Sequence, residues 1–450
     1  MRFRKETEFQ ETEIGKLPEG WKIKRLGEVA IIRSGFSERR RDERSRVIHL
    51  RPDNINNEID KIIFNNIVYI PESPKIEKYL LEHLDIVLVN TNGSIDHIGK
   101  VGIIDFLLDK KNTFSNHLTA IRITSKDINP YYVYYFLSLL HLKGYYKKLV
   151  KNQAGKWNLN LSTIRDLLIP IPPLEEQKGI ADVLLMVDRG IEIVDRAVAK
   201  LEGMKRALLN ELLTGRIRVR EENGKLTFYK ETEFQETEIG KLPEGWKIKR
   251  LGEIAKIVNG VNFPLKLQGK KNGKYPFIKV NDMNNSYKYI FNAENYVDDE
   301  DLPKLRARPF PKNTIIFPKI GMTIRLNKYR ILGIDALFDN NTAGIITNEN
   351  VAYYEFIYYY LQSNVDLITL ANTTTVPSIS KSRLEGLYIP LPPLEEQKRT
   401  AEILLTVDKA IGLYRKEEER LLRLRRGLMS VLLTGRVRVV SDVRDVGVVA

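Results

Sequence analysis

The segment KETEFQETEIGKLPEGWKIKRLGE occupies Lys5 to Glu28 and returns letter for letter at Lys230 to Glu253, 225 residues further on. Two more echoes stand 220 residues apart: PPLEEQK at Pro172 to Lys178 and Pro392 to Lys398, and LLTGR ending at Arg216 and at Arg436. Self-similarity at a fixed long period marks a structure built from repeated units. The chain therefore reads as two half-units, each with a shared lead-in, a divergent middle and a shared exit.

Each lead-in has a turn at Pro18, Glu19 and Gly20, then a strand in which Trp21 and Ile23 alternate with Lys22 and Lys24; Trp246 and Ile248 repeat the pattern. These segments are expected to anchor a core and touch no ligand. Each exit is bracketed by helix signals, because proline suits the first turn and glycine suits a left-handed cap after the last. Pro172, Pro173 and Gly215 bracket one helix of about forty residues, roughly 60 Å at about 1.5 Å per residue.

Along the first helix Leu184, Ile191, Val198 and Leu212 fall in one heptad column, and Ile180, Val187, Val194, Leu201 and Leu208 in another, interrupted by Lys205. In the second helix Leu404, Ile411 and Leu432 match the first column, and Val407, Tyr414, Leu421 and Leu428 the other, with Glu418 and Arg425 as polar interruptions. Such seams predict coiled-coil packing. A homodimer zipper is one outcome, but two copies in one chain favour pairing within the chain at high effective concentration. An antiparallel pair would give the molecule a pseudo-twofold axis, the symmetry of duplex DNA.

The divergent middles, residues 29 to 170 and 254 to 390, mix strand signals such as IVLVN (Ile86 to Asn90) and TIIFP (Thr314 to Pro318) with helical stretches at Pro130 to Leu149 and Tyr353 to Leu370. This is an α+β pattern, and the tyrosine stripes in its helices are read as core. The expected architecture is two α+β domains joined by two long antiparallel coiled-coil helices, with boundaries at 1–170, 171–216, 217–390 and 391–436 and a tail at 437–450.

The 450 residues carry a formal charge of +14, which favours a polyanionic partner such as nucleic acid. The absence of cysteine excludes disulfides, cysteine zinc sites, iron–sulfur clusters and thiol nucleophiles, and fits a cytoplasmic protein. Neither a secretory leader nor an 18-residue apolar span is evident, so no membrane role is expected. In the first middle, Arg33, Arg39, Arg40, Arg41, Arg44 and Arg46 cluster in a Gly-containing loop. Guanidinium groups there could grip phosphates or pair with guanine edges, or the loop could simply be solvated. Lys266, Lys270, Lys271 and Lys274 occupy the matching place in the second middle. Further DNA-binding candidates are Asn90, Asn92, Ser94 and Lys100, Lys151 and Lys156 before Trp157, and Lys319, Arg325, Lys328 and Arg330.

No chemistry of the chain's own is legible. The five histidines, at 49, 83, 97, 117 and 141, form no metal spacing, and phosphate-cradling, dinucleotide and serine-elbow motifs are missing. Asn129, Pro130, Tyr131 and Tyr132 approach an amino-methyltransferase motif but lack its second proline, and read as a helix start. No catalytic residue, metal or cofactor is therefore expected.

IPIPPLEEQK from Ile169, IPLPPLEEQK from Ile389, the LLTGR exits and PEGWKIKRLGE before each middle resemble the specificity subunit of type I restriction-modification enzymes. VNTNGSIDHIGKVGII from Val89 and KVNDMNN from Lys279 resemble its recognition segments. The resemblance covers nearly the whole chain, leaving Ser441 to Ala450 without a counterpart. It implies two target recognition domains, each reading one half of a bipartite site in double-stranded DNA, with the helices as spacer. It also implies two modification subunits that methylate adenine at N6 using S-adenosylmethionine, and restriction subunits that translocate and cleave with ATP. The chain itself would be a non-catalytic targeting subunit. Glu175, Glu176 and Gln177, with Glu395, Glu396 and Gln397, would offer exposed contact faces for the modification subunits, or would only complement the helix dipole. Two alternatives are a self-contained methyltransferase with a degenerate motif and a coiled-coil scaffold.

Overall fold

Both LLTGR exits end helices of the expected length: in the computed structural model the first long helix runs Leu174–Leu213 and the second Leu394–Leu432. The structure describes residues 2–56, 59–105, 110–153, 155–372 and 376–440; residues 441–450 lie outside this range. The chain divides into two compact units, residues 1–197 with 414–450, and residues 198–413. Each long helix therefore contributes one part to each unit.

In the first unit a four-stranded antiparallel sheet is ordered Val101–Ile103, Ile86–Val89, Leu118–Ile123, Ala30–Ser34. Ile86 to Val89 are all fully buried, as expected for a strand covered on both faces. A second sheet pairs Val47–Leu50 in parallel with Lys111–Phe114 and antiparallel with Val68–Ile70. The helix Pro130–Leu142 buries Tyr132, Val133, Tyr135 and Leu137 in the core of this unit and packs the partly buried Tyr131 against it, so its tyrosines are core. Asn129 caps this helix, its Oδ1 accepting from the Tyr132 amide at 3.2 Å.

The second unit repeats the plan. Ala255–Asn259, Thr342–Thr347, Ile315–Pro318 and Arg330–Leu332 follow the same neighbour order, with Tyr289–Ile290 as an added edge. Tyr275–Ile278 pairs with Asn295–Val297 and Leu337–Phe338 in the smaller sheet.

The lead-ins do what their repetition suggests. Lys22–Arg25 pairs antiparallel with Leu168–Ile171, and Lys247–Arg250 with Tyr388–Leu391, so each lead-in is stitched to the strand that precedes a long helix. The glycine of each exit has a positive φ, +70° at Gly215 and +69° at Gly435. A Cβ there would sit 2.3 Å from Pro243 Cγ or 2.2 Å from Pro18 Cγ, so only glycine lets the exit close against the lead-in turn. Arg2–Lys5 pairs with Val437–Val440, and in the second unit one continuous hairpin, Ile217–Glu222 with Lys225–Lys230, takes the equivalent place.

The long helices pair antiparallel within each unit. In the first, Ile180 and Leu184 share a core with Met429, Leu432 and Leu433, while a Cβ on Gly190 would lie 3.6 Å from Leu421 Cδ1. In the second, Leu208, Leu209 and Leu213 pack with Ala401 and Leu404. Of the expected seam, Leu184, Ile191, Val194, Leu404, Val407 and Ile411 are buried; Val187, Val198, Leu201, Leu421 and Leu428 are partly so. Tyr414 departs from the expectation, being 42% exposed. Two of the three polar interruptions are paired across the seam: Arg425 meets Asp188 at 2.6 Å and Lys205 meets Asp408 at 2.7 Å.

Candidate nucleic-acid interface

In each unit the basic loop after the lead-in starts from a glycine that nothing larger could replace. A Cβ on Gly35 would lie 2.2 Å from the Ser115 carbonyl oxygen, and one on Gly260 would lie 1.8 Å from that of Asp339. This close approach lets Phe36 bridge Ser115 and Val261 bridge Asp339, which directs both loops away from the same corner of the sheet. The central strands end at the same corner. Asn90 follows Ile86–Val89 and Lys319 follows Ile315–Pro318; their carbonyls accept from Leu159 at 2.8 Å and Ile379 at 3.0 Å. Asn90 and Lys319 are thus equivalent positions with different side chains.

In the first unit Arg39, Arg40, Arg41, Arg44 and Arg46 are exposed. Arg40 is paired with Glu38 at 3.0 Å, and hydrogen bonds from Arg40 hold the Glu38 carboxyl down at about 2. Arg33 behaves differently. Its guanidinium donates to the Lys78 and Leu80 carbonyls at 3.0 and 3.1 Å and faces Asp85 at 3.4 Å, so its donors serve the fold. Burial pushes its pKa down, with Arg122 adding to the effect.

Two of the expected residues, Asn92 and Lys156, line one cleft of about 340 Å³, and the arginine loop reaches it through residues outside the expected set. Its lining includes Ser37 and Glu38 from the arginine loop, Asn92, and Lys156, joined by Arg51, Asn116 and His117. Lys156–Asn158 and Lys151–Gln153 form a hairpin whose Trp157 pairs with Asn92, carrying Lys151 and Lys156 exposed beside the cleft. Ser94 is exposed and its amide donates to Asn92 Oδ1 at 2.9 Å. Asn90 is buried and donates to Thr119 Oγ1 at 2.9 Å, a supporting role. Lys100 is buried in an adjoining cleft with Asp53, Asn92 and His97; burial lowers its pKa against the attraction of Asp60 and Asp53. His49 is pushed down to about 4 by burial and then by Arg51. The imidazole is therefore neutral at physiological pH, and arginine and lysine supply the positive charge.

The second unit gathers fewer of its candidates. Lys266 and Arg325 are exposed, beside Leu265, Met322 and Leu326, which are 84%, 62% and 52% exposed. Lys270, Lys271 and Lys274 are exposed but each is tied to a carboxylate, Asp298, Glu294 and Asp299 respectively. Lys319 donates to Asn259 Oδ1 at 2.7 Å, and Lys328 donates to Asn284. Arg330 is turned inward to the carbonyls of Met283 and Ser286 at 3.1 and 2.7 Å.

The PPLEEQK motifs require a correction. Of the six residues expected to offer contact faces, only Glu175 and Glu395 are exposed. Glu176 is buried against Arg438, with Oε1 at 2.6 Å and Oε2 at 2.8 Å, and accepts from Trp21 Nε1 at 3.2 Å. Glu396 clasps Arg218 in the same way, at 3.0 and 2.7 Å. Gln177 accepts from the Asn129 amide and donates to the Asp127 and Pro172 carbonyls; Gln397 repeats this at Tyr353, Val351 and Pro392. These residues fasten each long helix to its domain. Among the described residues no cluster of metal-ligating side chains occurs, and no helix is long and apolar enough to cross a membrane.

Two domains of one plan, carrying unlike loops at the same corner and joined through paired helices, define the class of protein. Residues 18–202 and 243–423 each match the type I restriction modification DNA specificity domain, and the chain belongs to that family. It is 30% identical over 98% of its length, and 99% of the relative's, to a protein named for the specificity subunit of type I restriction enzyme MjaX of Methanocaldococcus jannaschii. The MjaVIII specificity subunit of the same organism is 25% identical, with 98% of each chain covered. In fold it is similar to the crystal structure of a type I restriction-modification S subunit from M. genitalium, with a TM-score of 0.57 at 15% identity, covering 92% of this chain and 96% of that one. The chain is a DNA sequence-specificity subunit, and neither a self-contained methyltransferase nor a coiled-coil scaffold finds support in these likenesses.

Proposed function

We propose that residues 1–170 and 217–390 are two recognition domains, each reading one half of a bipartite, asymmetric DNA site. The helices of 171–216 and 391–436 act as the spacer between them; of the expected tail at 437–450, Val437–Val440 is instead a strand paired with Arg2–Lys5, and 441–450 lie outside the described residues. The observation that carries this reading is the pairing of equivalent positions with unlike side chains: arginines at 39–46 against lysines at 266–274, and Asn90 against Lys319. Equal placement with different chemistry suits two readers of different half-sites.

In the first domain Arg39, Arg41, Arg44 and Arg46 supply phosphate contacts, while Asn92, Asn116 and Lys156 face base edges across the cleft. In the second, Lys266 and Arg325 hold the backbone, and Leu265 and Met322 offer apolar surface for thymine methyl groups. The chain performs no chemistry. Modification subunits bring S-adenosylmethionine and methylate adenine at N6, two of them per chain, and restriction subunits bring ATP-driven cleavage.

Co-production with the modification subunits, followed by mapping of N6-methyladenine in the host DNA, tests the reading. It predicts one motif made of two short specified blocks around an unspecified gap. A single contiguous motif would contradict it, as would methyl transfer to DNA by the isolated chain with labelled S-adenosylmethionine.

A further inference from the structure

The helix seam carries charge where apolar packing would be cheaper. In the first unit Arg425 Nε lies 2.6 Å from Asp188 Oδ1, with the two side chains only 4% and 12% exposed. Tyr135 donates to the other Asp188 oxygen at 2.8 Å, and Arg425 donates to the Ile59 carbonyl at 3.0 Å. Two long-helix residues and two segments of the domain thus meet at one point.

The second unit contains the same device. Lys205 Nζ lies 2.7 Å from Asp408 Oδ1, and Tyr359 donates to Asp408 Oδ2 at 2.7 Å. Asp188 and Asp408 are separated by the repeat offset of 220, as are Lys205 and Arg425. Each helix gives one acid near its start and one base near its end. Only one antiparallel register satisfies both pairs, since a slip of one heptad would leave Asp188, Asp408 and Arg425 buried, and Lys205 half-buried, without these partners. The apolar seam does not discriminate so sharply, because a heptad slip brings leucine or valine back against leucine or valine.

We propose that Asp188–Arg425 with Tyr135, and Asp408–Lys205 with Tyr359, are positioning residues that fix the register of the spacer helices and so select one gap length between the half-sites. This rests on the reading of the helices as spacer given above. It goes beyond that reading in assigning gap selection to four charged side chains rather than to helix length alone.

The test uses the full chain with its modification subunits and duplexes that share the mapped half-sites but differ in gap by one base pair. Wild type should prefer one gap by about tenfold or more, the cost of an ordinary mismatch. A chain carrying Asp188→Leu, Arg425→Leu, Lys205→Leu and Asp408→Leu, with Tyr135→Phe and Tyr359→Phe, should remain folded, because apolar replacement of a buried pair is often neutral for stability, and on this proposal should accept neighbouring gaps within about threefold because the groups that fix register are gone. A milder pair, Asp188→Asn with Asp408→Asn, should relax the gap in the same direction, and Arg425→Lys, which copies the second unit's chemistry, should not. Spin labels at Met186→Cys and Leu424→Cys, in a chain with no other cysteine, report register without DNA. A narrow distance distribution should broaden in the apolar chain. An unchanged narrow distribution, or an unchanged single-gap preference in both the apolar and the asparagine variants, would overturn the proposal. If wild type marks no bipartite motif, the spacer reading and gap selection fall together, while the spin-label distances still decide whether these residues set register.

Discussion

Glu176 and Arg438 form a two-point clasp, carboxylate oxygens 2.6 and 2.8 Å from the guanidinium, that ties the start of the first long helix to the strand after the second. Both are largely out of water, at 6% and 17% side-chain exposure. Breaking such a pair leaves a buried charge half satisfied, here with Glu6 remaining at 2.7 Å.

Glu176→Gln should therefore destabilise the first unit by about 2 kcal/mol, the scale for losing hydrogen bonds to a charged group while Glu6 keeps the guanidinium partly compensated. Hydrogen exchange checks this with an internal control: amides of Lys22–Arg25 should lose protection, while those of the equivalent Lys247–Arg250 should keep it. Equal loss in both strands would show that the clasp is not local.

Glu6 gives a pH signature. Burial alone would raise its pKa, but the amides of Glu8 and Thr7 and the Arg438 guanidinium outweigh this and hold it down at about 2, against an ordinary 4.5. A carboxylate with a depressed folded-state pKa contributes stability that is complete above its unfolded value and lost as the pH falls through the folded one. Stability of the first unit should fall between about pH 5 and pH 2, and Glu6→Gln should flatten that fall. A titration of unfolding free energy that is the same with and without the substitution would contradict this assignment.

Much of the plan is legible in the sequence because repetition makes the chain its own alignment. The lead-in strands, the proline–glycine bracketing of the long helices and their seams all follow from residue spacing. What is missing depends on partners remote in sequence. Lys270 and Lys274 read as free cations until the fold sets Asp298 and Asp299 beside them, and Arg33 reads as a phosphate contact until Asp85 and two carbonyls claim it. Glu176 and Gln177 sit in a first helical turn, where acids are usually solvated. Only the strand after the opposite helix and the loop before Asn129 reveal them as fasteners. Lys205 and Arg425 stand out in the seam, but their acids cannot be assigned without the antiparallel register. Asn116 and His117 carry no motif and become candidates only because the cleft gathers them with Asn92 and Lys156.

The arginines of the first loop are not equivalent. Arg39 and Arg41 are exposed, whereas Arg40 is engaged by Glu38. Arg39→Ala with Arg41→Ala should weaken binding to the target duplex and reduce the slope of log affinity against log salt by about one to two, roughly 0.9 for each phosphate no longer neutralised. Arg40→Ala alone should do less. Equilibrium binding from low to physiological salt checks both, and an unchanged slope in the double variant would remove this loop from the interface.

The most direct test of the spacer is to lengthen it. Four residues inserted at equivalent points in both long helices add one turn, about 6 Å, which corresponds to about two base pairs of duplex at roughly 3.4 Å per step. Methylation mapping of cells carrying the lengthened chain and its modification subunits should return the same two half-sites with a gap longer by about two base pairs. The same half-sites at the original gap would contradict the account.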